Sequence, residues 1–157
     1  MANEDDLCFQ PGRGATRADV ISALYKAADS PEVNVPLPFS DVNSGAWYYD
    51  ALQWAYSESI ITGYTESTFA AFAFVSRQQL AAILYRYACS TGDAPSADVA
   101  ALSTFSDADQ VDSWAEAAMA WAVAEGLISG REDGSLSPDA TATRAELAQI
   151  LVRFLDL

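Results

Sequence analysis

Residues Trp114 to Arg153 read WAEAAMAWAVAEGLISGREDGSLSPDATATRAELAQILVR, and the stretch has a copy 67 positions earlier, from Trp47 to Arg86. Laid over each other without a gap, the two share 14 of 40 residues, among them Trp47/Trp114, Trp54/Trp121, Gly63/Gly130, Arg77/Arg144, Leu80/Leu147, Ile83/Ile150 and Arg86/Arg153. Working outward, Phe39-Ser40-Asp41 ahead of one copy reappears as Phe105-Ser106-Asp107 ahead of the other. A partial copy stands at the front, where Phe9-Gln10-Pro11 and Thr16-Arg17-Ala18-Asp19 match Leu136-Ser137-Pro138 and Thr143-Arg144-Ala145-Glu146. Units of this kind bury their apolar faces only against neighbours, so half a repeat and two whole ones predict one cooperative domain over residues 1–157. Its parts are expected at 1–30, 39–89 and 105–157.

Each whole unit reads as helix, turn, helix. Trp47, Ala51, Leu52, Trp54 and Ala55, and likewise Trp114, Ala118, Met119, Trp121 and Ala122, recur at spacings of three and four and predict an apolar helical stripe with the tryptophans in the core. Gly126 marks a left-handed helix end, and Gly63 and Gly130 punctuate the turn that follows. The second helix opens at a capping box in Thr143-x-x-Glu146, Ser76-x-x-Gln79 and, with a shorter acid, Thr16-x-x-Asp19. Behind the caps, Val20, Ala23 and Leu24, then Leu80, Ile83 and Leu84, then Leu147, Ile150 and Leu151 share one face, so three equivalent helices are expected to share one core. An all-α fold follows, with helices near 16–28, 46–58, 76–88, 112–125 and 143–155. Residues 30–38 and 90–104 read as linkers, the second with a helical turn at 97–102.

Composition narrows the chemistry. Twenty-two acidic residues against 8 basic ones give a net charge of -14, which repels phosphate backbones and anionic lipids and argues against nucleic acid as a partner. The chain has no histidine, which removes Ser/His/Asp and Cys/His catalysis and His-ligated metals. No pair of acids is singled out for glycosidase chemistry, and the loop from Asp107 lacks the glycine and glutamate of an EF-hand, so neither an enzyme, a metal site nor a cofactor is expected. No window is apolar enough to insert in a membrane. Cys8 and Cys89 stand far apart without a CxxC pattern, leaving a single bridge between them open.

Arg17, Arg77 and Arg144 each occupy the first helical position, where the helix dipole disfavours a cation by a few tenths of a kcal/mol. Helix stability therefore does not account for them. One account pairs each with a nearby acid, such as the aspartate of a Phe-Ser-Asp turn. The other is an anion site built from the guanidinium fork and the unpaired N–H groups of the helix start at Thr16, Ser76 and Thr143. Three such sites would suit a repetitive polymer through multivalency.

These motifs resemble the S-layer homology domains of bacterial surface proteins: Phe105-Ser106-Asp107, Trp114-Ala115, Gly126-Leu127-Ile128-Ser129-Gly130, Leu136-Ser137-Pro138 and Thr143-Arg144-Ala145-Glu146. The copy at Ser59-Ile60-Ile61-Thr62-Gly63 and Ser76-Arg77-Gln78-Gln79 is looser. The resemblance implies a pseudo-threefold bundle of helix-turn-helix repeats, the first incomplete, with inter-repeat grooves that bind an anionic secondary cell wall polymer. It implies a secreted protein at the cell surface and a pyruvylated sugar carboxylate meeting Arg17 and Arg144, and Arg77 more weakly because Gln79 replaces an acid. Trp47 and Trp114 are expected to wall the grooves by stacking on sugars. The alternative function is a protein-interaction or self-assembly module of a surface layer. The absent first half of repeat one is expected to expose the apolar side of the helix from Arg17 to Ala28 and so to favour a homodimer.

Overall fold

The computed structural model describes residues 10–92 and 98–156. Cys8 and Phe9 lie outside that range, and with them the Cys8–Cys89 bridge; Cys89 itself is exposed. Five α-helices form among the described residues: α1 Arg17–Ala27, α2 Tyr49–Ser57, α3 Arg77–Ser90, α4 Glu116–Ala124 and α5 Arg144–Leu155. The linker before the last repeat holds a 3-10 helix, Val99–Thr104, capped by Asp98, slightly later than the expected turn. Among the described residues, pairing in the extended direction is confined to the bridges Gly14/Thr143, Thr16/Phe74 and Ser76/Thr141, so the fold is all-α.

The first helices start later than the periodicity suggested. Neither Tyr48 nor Ala115 supplies a side-chain cap, and residues Ser113–Ala115 form a separate 3-10 turn. The carboxylate of Asp112, well placed in sequence to cap that turn, instead accepts from Gln78 Nε2 at 2.9 Å. Trp47 and Trp114 thus fall outside the helical stripe and are 63% and 54% exposed, contrary to the core role their spacing suggested, whereas Trp54 and Trp121 are buried.

The capped helices behave differently. Thr16 with Asp19 and Ser76 with Gln79 form full reciprocal boxes, but at Thr143 only the forward bond from the Glu146 N–H (3.1 Å) is made. Glu146 turns away from the cap toward Arg77 and Arg131, because two guanidiniums attract a carboxylate more than one backbone N–H does.

The three caps meet in a ring of backbone hydrogen bonds. The Ala15 N–H donates to Ala142 O (2.8 Å), that of Ala142 to Val75 O (2.9 Å), and that of Val75 back to Ala15 O (3.0 Å). Equivalent residues from three repeats thereby close a pseudo-threefold circuit. Away from this ring, α1 packs on α2 and α3 packs on α4, so the first two capped helices each lie against the first helix of the following repeat. Aromatic side chains join the pairs: Trp54 lies 5.8 Å from Tyr87, and Tyr87 lies 5.6 Å from Phe154.

The apolar side of α1 is not left open. Ala18, Val20, Ile21 and Leu24 are all fully buried, and no large apolar side chain of this helix is exposed. The helix packs on α2, and the expected linker closes in beside the pair: Val33 and Leu37 pack on the core, Tyr25 OH donates to Pro31 O (3.0 Å), and Gln53 Nε2 of α2 donates to Val35 O (2.9 Å). The apolar side that was to favour a homodimer is therefore buried within the chain itself.

Candidate functional site

The anion cradle foreseen at the helix starts is already filled. The N–H of Arg17 donates to Ala73 O and that of Ala18 to Ala71 O; those of Arg77 and Gln78 donate to Ala140 O and Pro138 O; those of Arg144 and Ala145 donate to Arg13 O and Pro11 O. The hydroxyls of Thr16, Ser76 and Thr143 accept the third N–H. The first three amides of each helix are thus satisfied, two by the segment leading into a neighbouring cap and one by the cap hydroxyl, so none of the three is left for a ligand.

The guanidiniums do two jobs. Arg17 Nε donates to Phe69 O at 2.9 Å and an Nη to Thr62 O at 2.6 Å, with the cation 4.9 Å from the Phe69 ring centre. Arg77 repeats this pattern on Leu136 O (2.7 Å) and Ser129 O (2.9 Å) and adds a 3.4 Å pair with Glu146. Each arginine therefore clamps the two ends of the glycine turn in the next repeat. Burial pulls the pKa of both guanidiniums down; for Arg17, Arg86 acts in the same direction while Tyr64 and Asp41 oppose it. The residue equivalent to Phe69 and Leu136 for Arg144 is Phe9, outside the described residues.

Asp41 and Asp107 do not pair with the arginines directly. Asp41 accepts from the N–H groups of Phe69 and Ala70, both at 2.9 Å, and Asp107 accepts from those of Leu136 and Ser137 at 2.8 and 2.9 Å. Ala70 and Ser137 have φ of 58° and 50°, so the carboxylates hold a left-handed residue in place. Desolvation opposes ionisation of Asp41, but the amides of Phe69 and Ala70, with help from Arg17, keep its pKa below the ordinary aspartate value.

A groove of about 440 Å³ lies where three repeats meet, lined by Arg17, Gly63, Tyr64, Gln79, Arg86 and Trp114, with Ile61, Thr62, Ala82 and Ile83 beneath. Two predicted residues, Arg17 and Trp114, converge here. Gly63 is required, since a Cβ would meet Thr65 O at 2.2 Å and the Phe39 ring at 2.5 Å. The turn that carries Trp114 is anchored two residues ahead of it by Gln78, whose Nε2 donates to Asp112 and Asp139 while its Oε1 accepts the Asp112 N–H at 3.0 Å. Arg86, Tyr64 and Gln79 were not picked out from sequence as site residues. Arg86 was legible as one of the identities shared by the two full repeats, because an exposed cation retained on a helix otherwise matched through its core asks for a partner outside the fold. The remaining predicted residues do not join this groove: Arg77 is buried against Glu146, while Trp47 stacks edge-on against Tyr48. Among the described residues no cluster of Cys, Asp and Glu is placed to hold a metal, and no helix is long and apolar enough to cross a membrane.

A twice-repeated clamp of Arg on Gly turn, an Asp-held left-handed residue and a ring of caps define a helical-repeat surface module. Residues 38–81 and 104–148 match the S-layer homology domain, and the chain belongs to that family. It is 30% identical over 94% of its length to a surface-layer 125 kDa protein of Lysinibacillus sphaericus. It is 28% identical over 94% of its length to a cellulosome-anchoring protein of Acetivibrio thermocellus, and 28% identical over 96% to an amylopullulanase of Thermoanaerobacterium thermosulfurigenes. The chain spans 12%, 33% and 8% of those three proteins respectively, so the likeness to the enzyme concerns a small part of it. The family is a non-catalytic one of the bacterial cell surface.

Proposed function

We propose that the chain anchors a larger protein to the bacterial cell wall by binding an acidic secondary wall polysaccharide, such as one carrying pyruvylated sugars. The observation that carries this reading is the groove, where two guanidiniums, Arg17 and Arg86, share a recess with an exposed indole, Trp114. That combination suits a sugar with a carboxylate: the cations take the acid and the indole takes the apolar face of the ring. Arg77 and Arg144 remain candidates through their equivalence to Arg17, with Thr16, Ser76 and Thr143 fixing where the guanidiniums start. The net charge of -14 opposes an anionic ligand at long range, yet dispersed surface acids are screened beyond about 8 Å at physiological salt, whereas a charge-assisted bond at contact contributes about 1.5 to 3 kcal/mol. Contact therefore decides. The test is cosedimentation with peptidoglycan sacculi before and after extraction of the wall polymer. Binding is expected only before extraction, and equal binding to both would turn the reading toward a protein-interaction module, for which exposed Phe72 and Phe74 are the natural surface.

A further inference from the structure

Pseudo-symmetry gives the chain three arginine positions but not three equal electrostatic environments. Opposite Arg77 stands Glu146, the third residue of the next capped helix, at 3.4 Å, and the same carboxylate lies 3.9 Å from Arg131. Opposite Arg144 the equivalent third residue is Asp19. Opposite Arg17 it is Gln79, which is uncharged and is already turned back to accept the Ser76 N–H at 2.9 Å. Asp19 turns back to accept the Thr16 N–H at 3.0 Å, so Arg77 is the position that meets an internal carboxylate, whereas the Arg17 groove brings an amide and a second cation, Arg86.

From this we infer that the Arg17 groove is the principal anion site of the chain, and that Gln79 is the specificity-determining residue that keeps it open. The inference rests on the glycan-binding reading and refines it to one groove. A carboxylate at position 79 would do to Arg17 what Glu146 does to Arg77: occupy the remaining guanidinium edge and repel an incoming acid. The Arg77 groove is in effect a copy with its own carboxylate already seated as ligand. Arg17 ranks above Arg77 here as it does in the motifs, but for a different reason: what counts is the third-position residue that faces the arginine from the next repeat, not the one in its own motif.

The substitution Gln79→Glu isolates the charge: the Ser76 hydroxyl keeps the third N–H, as Thr143 does ahead of Glu146, so the helix start holds whichever way the carboxylate turns. The probes are sacculi bearing a pyruvylated wall polymer and the same sacculi after removal of pyruvate by mild acid. The parent chain is expected to bind the first about tenfold or more tightly than the second. Gln79→Glu and Arg86→Ala should each lose about that factor, with unchanged helical spectrum and thermal midpoint, and Arg153→Ala, the equivalent of Arg86 beside Glu146, should lose nothing. Retention of full affinity by Gln79→Glu and Arg86→Ala, or loss in Arg153→Ala instead, would overturn the assignment of the groove while leaving glycan binding standing. Failure of the parent chain to distinguish the two sacculi would overturn the acidic-glycan reading itself, and this inference with it.

Discussion

At the scale of single residues, the arginine after each cap is a clamp as much as a contact. Arg77 is only 6% exposed and spends its fork on Leu136 O, Ser129 O and Glu146, so Arg77→Ala strands the buried carbonyl of Leu136, that of Ser129 and a carboxylate. A loss of about 2–4 kcal/mol is expected in urea unfolding, far more than a surface arginine gives. Asp41 supplies a pH signature. Its folded pKa lies below the unfolded value near 3.9, so its contribution is fully present above that pH and is lost as pH falls through the folded value. Asp41→Asn is therefore expected to lower stability at neutral pH and to flatten the acid limb of a stability profile below about pH 4, measured by denaturation at fixed urea.

At the scale of elements, the turn after each first helix separates two uses of glycine. A Cβ on Gly130 would meet the Phe105 ring at 2.6 Å, whereas one on Gly126, at φ of 74°, would meet nothing within 4 Å. Gly130→Ala is expected to cost about 2–3 kcal/mol through overpacking and Gly126→Ala about 1 kcal/mol through backbone strain alone, a contrast readable in thermal midpoints. Ser59 already bears the second kind of strain, at φ of 58° in the looser repeat. The five helices were legible in the sequence because the 3.6-residue period and the Thr/Ser caps are local signals. The late start of α4 was not, since Asp112 is drawn to Gln78, 34 residues earlier, and α2 likewise starts late behind Tyr48, which supplies no side-chain cap. Arg17 was legible as a candidate from the repeat, and Trp114 from the family resemblance, its own spacing having suggested the core. The roles of Gln79 and Glu146 were hidden, because whether a third-position side chain serves its own cap or a neighbour's arginine is decided only when repeats are stacked.

At the scale of the whole molecule, the front half-repeat is structural. Ala15 supplies one of the three links in the cap ring, and Ala18, Val20, Ile21 and Leu24 are fully buried. Deleting residues 1–30 leaves Val75 without its acceptor and Ala142 O without its donor, and strips α2 of the helix it packs on. The shortened chain is expected to lose its single cooperative urea transition and to bind apolar dyes, rather than to fold as two surviving repeats.

The cap ring also bears on how such an anchor holds under load. Ala15 and Ala142 are 127 residues apart in sequence yet joined directly by one backbone hydrogen bond, with Val75 bonded to both. A tug applied between the two ends of the chain therefore does not peel one repeat at a time. It meets a closed loop of three bonds that must open before any repeat can leave, so the module is expected to fail in one step in single-molecule pulling, where an open stack of repeats would give a staircase of small ones.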